Sequence, residues 1–493
     1  MNSSMVRVVL GHVMKIEGIL LLLPCLVAAI YREDQGFVYL IVAVCSVILG
    51  SIFTYKKPED KTLYLKEGCV ATSLSWIVLS VIGALPFYIT GEIPSYTDAL
   101  FETISGFTTT GSSILEDIEA LSHTALFWRS FTHWVGGMGV LVFLLSIVSL
   151  SGGSTINLMK AESPGPSVSK ITPKIKSSAR MLYYIYAFLT VLEAILLLLG
   201  GCPFFDAITT AFGTAGTGGF AVKGDSLASY SAYIQWVVTI FMIMFGINFN
   251  AYYFIFMKKI KDAFRMEEVR WYLGIVLGSI IIIFINIRNL YDYAGDALRD
   301  AAFQVAAIIT TTGFATADFD TWNMTCKILL VTLMFVGACA GSTGGGMKVS
   351  RFILVGKTIG KEIRGYLHPK SVKKILFDGK PCDHEMMRSV NVYFMTYIAI
   401  YVISLFFISF QNEDFATTFT SVATCINNIG PGLNKLGPTC NFHFMSGFSK
   451  YVLMFDMLAG RLELFPLIIM MHPTLWKELI ARKVRVARNK RVR

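Results

Sequence analysis

The chain has 493 residues, 54% hydrophobic and 15% charged, with a mean hydropathy of +0.59 and a net charge of +10. A water-soluble protein carries roughly a quarter charged residues, so the composition excludes a typical cytosolic enzyme. Apolar stretches of about 20 residues, long enough to cross a hydrocarbon layer of about 30 Å, specify a polytopic membrane protein instead.

Ten spanning helices are predicted, at 9–30, 37–55, 67–90, 124–150, 179–200, 231–257, 270–288, 323–356, 389–410 and 447–472. The first lacks a small-residue cleavage site and is followed at once by the second, which reads as a retained helix and not a signal peptide. Arg7, Lys15 and the bases of 55–67, 151–180, 258–270, 348–388 and 477–493 all fall on one side of the alternation. That side is cytoplasmic by the positive-inside rule, so both termini are expected there. Glu92, Asp98, Glu102, Glu116, Asp117 and Glu119 are among the acids of the opposite side. The tail RKVRVARNKRVR reads as an anchor at anionic membrane lipid, with no nucleic acid as partner. Nine cysteines are scattered without a CxxC pair, so neither a disulfide framework nor a zinc site follows. Cys202 and Cys440 share the outer side, and nothing in the sequence requires them to pair.

The outer segments after the third, fifth, seventh and ninth helices share one design. Each has a semi-polar stretch of about ten residues, too short to span, and then a glycine-containing turn. The turns are SGFTTTGSS at 105–113, AFGTAGTGGF at 211–220, AAIITTTGFA at 306–315 and ATCINNIGPG at 423–432. Internal repetition of this kind decides the fold class. It is an all-α polytopic membrane protein: two extra N-terminal helices in 1–66, then four helix–pore-loop–helix repeats around a central pore. The repeats occupy 67–178, 179–269, 270–388 with a broken helix, and 389–493 with the basic cytoplasmic tail.

Non-helical backbone at membrane depth is tolerated only where it is buried in protein or lines a water-filled cavity. Four such turns therefore imply a common pore. Gly111, Gly218, Gly313 and Gly430 permit backbone angles that aim successive carbonyls one way, and rings of carbonyls can replace the hydration shell of a monovalent cation. Thr110, Thr217 and Thr312 stand just before three of these glycines; the fourth turn has Ile429 there, preceded by Asn427 and Asn428. With their neighbours Thr109, Ser112, Gly216, Gly219, Thr311 and Phe314, these residues form the candidate filter.

Two features break the helical pattern. GACAGSTGGGMK at 337–348 places five glycines within the eighth helix, each costing about 1 kcal/mol relative to alanine. It is not a phosphate loop, which requires Gly-Lys-Ser/Thr; here Met347 separates Gly346 from Lys348. Arg461 lies well inside the last helix, where a cation needs water or a partner, and neither Asp456 nor Glu463 is spaced to share its face. Lys327 and Lys450 lie near the outer boundary and can snorkel. Glu193 reads as paired, and His133 beside Trp134 as an interfacial-belt or packing residue. Seven scattered histidines supply no intramembrane catalytic cluster, so no enzyme is expected.

FETISGFTTTGSS (101–113), RSFTHWVGGMGV (129–140), FDAITTAFGTAGTGGF (205–220), AAFQVAAIITTTGF (301–314), GSTGGGMK (341–348), INNIGPGL (426–433) and MLAGRLELFP (457–466) resemble the potassium-translocating subunit of the Trk/Ktr/HKT superfamily. Length and the two extra helices make the chain most similar to the TrkH type. The resemblance implies K⁺ uptake across the bacterial inner (plasma) membrane, channel-like or by symport, with K⁺ as the bound and transported metal. A serine replaces the first-loop glycine in Na⁺-carrying plant relatives; Gly111 here implies K⁺, with a Na⁺-permeable or Na⁺-coupled transporter as the alternative. It also implies that Gly341, Ser342, Thr343, Gly344, Gly345, Gly346 and Lys348 form an intramembrane gate loop below the filter, and that Arg461 is a barrier to cations. Finally it implies a homodimer docked on a cytosolic ring of nucleotide-binding (NAD or ATP) subunits. No Rossmann fingerprint or phosphate loop occurs in the chain itself, so the nucleotide is expected on that ring.

Overall fold

The structure, a computed structural model, describes residues 2–56, 58, 63–139, 175–370 and 374–477. The fourth predicted helix beyond residue 139, the basic segment 151–174 and the basic tail 482–493 lie outside them. The described chain is mostly helical, and the only strands among its described residues are the antiparallel pair Leu376–Phe377 and Lys380–Pro381, a small addition to the all-α expectation.

Six of the ten predicted spans are long and apolar enough to cross a membrane by themselves: Ser3–Tyr31, Gly36–Tyr55, Leu65–Ile89, Met181–Leu199, Glu267–Leu290 and His384–Gln411. Their outward side chains, such as Ile30, Phe37, Leu199 and Met395, are exposed, as lipid-facing residues are. Three of the other four are interrupted within the described residues. The expected 231–257 span is two helices, Ala232–Phe245 and Phe249–Phe256, bent by 93°. The eighth is Met324–Val336 and Val349–Leu367 around the glycine segment. The tenth stops at Arg461 and restarts at Phe465, because Glu463 and Leu464 take positive φ values of 58° and 64°.

The N-terminal helices pack through small residues, as lipid-embedded helices do where backbones approach closely. A Cβ on Gly11 would lie 2.8 Å from the Gly50 carbonyl oxygen, and one on Gly18 would lie 2.6 Å from that of Ala43. This pair then leans on the first repeat, where Glu17 meets Gly83. Two of the interrupted helices, the sixth and the eighth, interlock: the Cys339 amide donates to Gly246 (3.1 Å) and the Phe249 amide to Gly341 (3.0 Å). Each break thus satisfies backbone groups that the other leaves open. All nine cysteines are free thiols, Cys202 and Cys440 among them.

Candidate cation filter and gate

Four short helices carry the candidate site: Tyr96–Phe107, Phe204–Gly216, Ala294–Ile309 and Phe415–Asn427, of 12, 13, 16 and 13 residues. At 1.5 Å per residue these are about 18–24 Å long, too short to span. Ser95 and Asp414 cap the first and fourth, and Asp98, Asp206 and Asp296 occupy first turns; anions there complement the helix dipole. Their C-termini, the negative ends, run directly into the four turns.

The turns share one backbone design. The amides of Thr109, Thr217, Thr311 and Asn428 donate three residues back, to Gly106, Thr214, Ile308 and Cys425. The next amides, of Thr110, Gly218, Thr312 and Ile429, donate five residues back at 2.8–2.9 Å. This is a Schellman-type helix end with its left-handed residue at Thr109, Thr217, Thr311 and Asn428 (φ 55–59°). β-branched threonine is a marked outlier in that region, and such strain gathers at functional sites. Two residues on, Gly111, Gly219, Gly313 and Gly430 also take positive φ, of 79°, 73°, 82° and 100°.

That pattern corrects the alignment of the second turn by one residue. Thr217 matches Thr109 and Thr311, not Thr110 and Thr312. Gly218 matches Thr110, Thr312 and Ile429, and Gly219 is the true counterpart of Gly111. The corresponding quartets are TTTG, GTGG, TTTG and NNIG.

The turns close into a ring. A Cβ on Gly111 would overlap the carbonyl oxygen of Gly218, one on Gly219 that of Thr312, and one on Gly313 that of Ile429; one on Gly430 would lie 3.0 Å from that of Thr110. Four carbonyls from equivalent positions therefore stand in cyclic order, each against the glycine of the preceding turn. Thr110, Thr312 and Ile429 are fully buried, yet among the described residues none of the four carbonyls accepts a hydrogen bond. Buried carbonyls are normally partnered, so this ring is an oxygen-rich site without donors. Outside it lies a cavity of about 120 Å³ lined by Gly111, Ser112, Gly219 and Gly430. Ser112 reaches the Gly430 carbonyl (3.4 Å), and the Asn428 amide group donates to Thr110 Oγ1 (3.0 Å) and Met457 O (2.9 Å). Phe314 is buried in the core around the second and third turns.

Charges expected in open outer loops or at the boundary turn out to be structural. Glu102 is buried and paired with Arg129 (2.5 Å), and it also accepts from Ser113 and the Ile114 amide just past the first turn. Arg129 lies over Phe220 (3.8 Å) and donates to Ala221 O (2.9 Å) past the second. Lys450 does not snorkel; it is buried and paired with Asp98 (2.5 Å). Lys327 pairs with Asp320. Glu193 is fully buried beside Thr214 with no ion pair among the described residues, contrary to the expected pairing. His133 is fully buried against the turns, a packing and not a belt position.

The gate candidates lie directly on the helix-end side of the ring. A Cβ on Gly344 would come 2.9 Å from Thr310 O, and one on Gly345 2.5 Å from Asn427 O, while the Gly345 amide donates to Thr311 Oγ1 (2.6 Å). Gly341 and Gly346 have positive φ, and Ser342 bonds back to Cys339 O. Buried Lys348 donates to the carbonyls of Gly344 and Gly345 (3.0 Å to the latter). Arg461 donates to Thr343 O (3.0 Å) on this loop, and to Gly136 O and Gly137 O (3.0 Å). Asp456 accepts from Ser404, and Glu463 pairs with Arg351.

Glu268, read only as part of a basic inner segment, holds the loop. Its carboxylate accepts from the Ala340 amide (2.6 Å) on one side of the break and from Ser350 (3.1 Å) on the other. The neighbouring Glu267 pairs with Lys357 (2.6 Å) on the lower half-helix. The adjacent acids Glu267 and Glu268 within a basic segment were the only signal in the sequence.

Known proteins share this chain's sequence and fold. The chain is 35% identical over 466 residues to the Trk system potassium uptake protein TrkH of Salmonella typhimurium, covering 93% of this chain and 96% of that one. It is 34% identical to the protein of the same name from Escherichia coli K12, with the same coverage. The crystal structure of the potassium transporter TrkH from Vibrio parahaemolyticus superposes with a TM-score of 0.87 at 30% identity, over 97% of this chain and 100% of that one. The family of cation transport proteins called TrkH matches residues 35–478. With its fold, its spans and nearly its whole length accounted for, the chain belongs to the TrkH family: it is an integral membrane cation transport protein and not an enzyme.

Proposed function

We propose that this chain takes up K⁺ across the bacterial plasma membrane through the four-carbonyl ring. The observation that carries the reading is the cyclic set of buried carbonyls of Thr110, Gly218, Thr312 and Ile429 with no donor among the described residues. Such a ring stabilises a bare cation in place of its water shell, and the C-terminal ends of four helices add negative potential. The relatives' description as potassium uptake proteins supports K⁺ as the cargo. Glycine at the second positive-φ position of every turn, Gly111, Gly219, Gly313 and Gly430, supports K⁺ over Na⁺.

In this reading Gly341–Gly346, Lys348 and Arg461 close the path beneath the ring. Two cationic side chains donate to the consecutive carbonyls of residues 343–345. The protein works as a homodimer with both termini cytoplasmic, opened by a docked cytosolic ring of nucleotide-binding subunits. The basic inner segments, with exposed Lys361, Arg364 and Lys370, give that ring a surface.

The test is flux into liposomes holding purified protein, with K⁺, Rb⁺ and Na⁺ in turn. K⁺ and Rb⁺ should pass in clear preference to Na⁺, and Gly111→Ser, which puts a Cβ into the Gly218 carbonyl, should lower the K⁺/Na⁺ ratio. Equal Na⁺ flux through the unaltered protein would favour a Na⁺-permeable transporter. An unchanged ratio in Gly111→Ser would remove the filter assignment.

A further inference from the structure

The first and third turns are braced by paired threonines. Thr110 Oγ1 lies 2.8 Å from Thr108 Oγ1, and Thr312 Oγ1 lies 2.7 Å from Thr310 Oγ1. Thr108 and Thr310 spend their own protons on Ile104 O and Ala306 O (2.6 and 2.7 Å), so the bracing proton comes from Thr110 and Thr312. In the second turn the two matching positions are Gly216 and Gly218, and no such brace exists.

The space is nevertheless full. A Cβ on Gly216 would overlap the backbone carbonyl of His133, and one on Gly218 would overlap its imidazole ring. Gly218 does not have a positive φ, so the turn itself would accept a side chain there; the imidazole is what excludes one. His133 comes from the helix His123–Gly137 of the first repeat and is fully buried. Its Nδ1 is 2.7 Å from Gly106 O. A carbonyl only accepts, so Nδ1 carries the proton and Nε2 bears the lone pair. Nε2 is buried without a hydrogen-bond partner. The ring centroid is 4.1 Å from that of Phe220, the residue after Gly219.

We infer that His133 is a positioning residue for ion selectivity: it supplies from the first repeat the brace that the second turn lacks, and so fixes the Gly218 carbonyl in the ring. Gly106 lies in the helix end that leads into the first turn, so one imidazole ties the second turn to the first. The inference rests on the filter reading above. It goes beyond that reading in naming a side chain outside the turns as a determinant of their geometry.

The experiment compares K⁺/Na⁺ flux ratios per folded protein in liposomes for four single variants and one double. Gly111→Ser tests the ring itself. His133→Phe keeps the ring volume and removes the Nδ1 proton; His133→Asn keeps an N–H for Gly106 with less bulk. Gly218→Ala is made alone and together with His133→Asn. His133→Phe should lower the ratio about tenfold, equivalent to about 1.4 kcal/mol, while His133→Asn should retain part of the preference. Gly218→Ala should be damaging alone and milder beside His133→Asn, the non-additivity of groups sharing one space. If Gly111→Ser lowers the ratio but both His133 variants stay within about twofold of the unaltered protein, the inference is overturned and His133 is inert packing. The same holds if the two substitutions simply add. If Gly111→Ser itself has no effect, the filter reading falls and takes this inference with it.

Discussion

Arg129 serves two turns with one guanidinium, neutralising Glu102, which holds the chain just past the first, and donating to Ala221 O beyond the second. Removing one partner of a buried ion pair costs about 3–5 kcal/mol, because the other charge is left uncompensated. Arg129→Met should therefore lower the melting temperature in detergent sharply, and Glu102→Gln added to it should recover much of the loss. Equal melting temperatures for Arg129→Met and the unaltered protein would show that the pair carries nothing. The same scale shows what sequence could and could not supply. Glycine beside threonine, or beside asparagine in the fourth, located all four turns. It could not choose between Gly218 and Gly219, since two adjacent glycines offer identical chemistry. Only the left-handed φ of Thr217 and the Gly218-to-Gly213 bond settle the register. The consequence is testable: Gly219→Ser, with its Cβ in the Thr312 carbonyl, should reproduce the selectivity loss of Gly111→Ser.

Among elements, the interrupted helices carry the gating argument. The glycine content of 337–348 announced a break, because glycine there is expensive unless the break is used. What clasps it was not legible, since the clasp comes from residues distant in sequence: Glu268 lies 72 positions before Ala340. Glu268→Ala would leave two buried amides without acceptors, at about 1–3 kcal/mol each, and should raise basal Rb⁺ uptake by freeing the loop. Arg461→Ala removes donors from Thr343, Gly136 and Gly137 at once. A gate role predicts higher basal flux per folded protein with the K⁺/Na⁺ ratio preserved, because the carbonyl ring is untouched. A scaffold role predicts less folded protein and no gain in flux. Well-folded Arg461→Ala with flux at or below that of the unaltered protein would exclude the gate role.

For the whole molecule, the fourfold repetition was legible because each repeat reuses one chemical solution, a short helix ending in a left-handed residue and a glycine. The attachment of the two extra helices was not, because beside the contact of Glu17 with Gly83 it uses an acid in a four-residue connection. Glu33, between Leu22–Tyr31 and Gly36–Tyr55, accepts from the His123 amide (2.8 Å), the Thr124 amide (2.9 Å) and the Thr124 hydroxyl (2.6 Å). It thus sits at the N-terminus of His123–Gly137, where an anion is favoured by about 0.3–1 kcal/mol. Burial alone raises the Glu33 carboxyl, but the bonds from Thr124 and His123 outweigh it and hold the group below its ordinary range. The unfolded chain therefore binds more protons than the folded one, and stability rises with pH through this window. The contribution is complete above the ordinary glutamate value of about 4.3 and disappears as pH falls through the lowered folded value. Glu33→Gln keeps an acceptor but removes the charge. Its melting temperature should lie below that of the unaltered protein at pH 7, by the equivalent of about 1 kcal/mol or less, and the two should converge on acidification. A difference that stays constant from pH 7 to below the carboxylate range would mean that shape, not charge, joins the N-terminal helices to the first repeat.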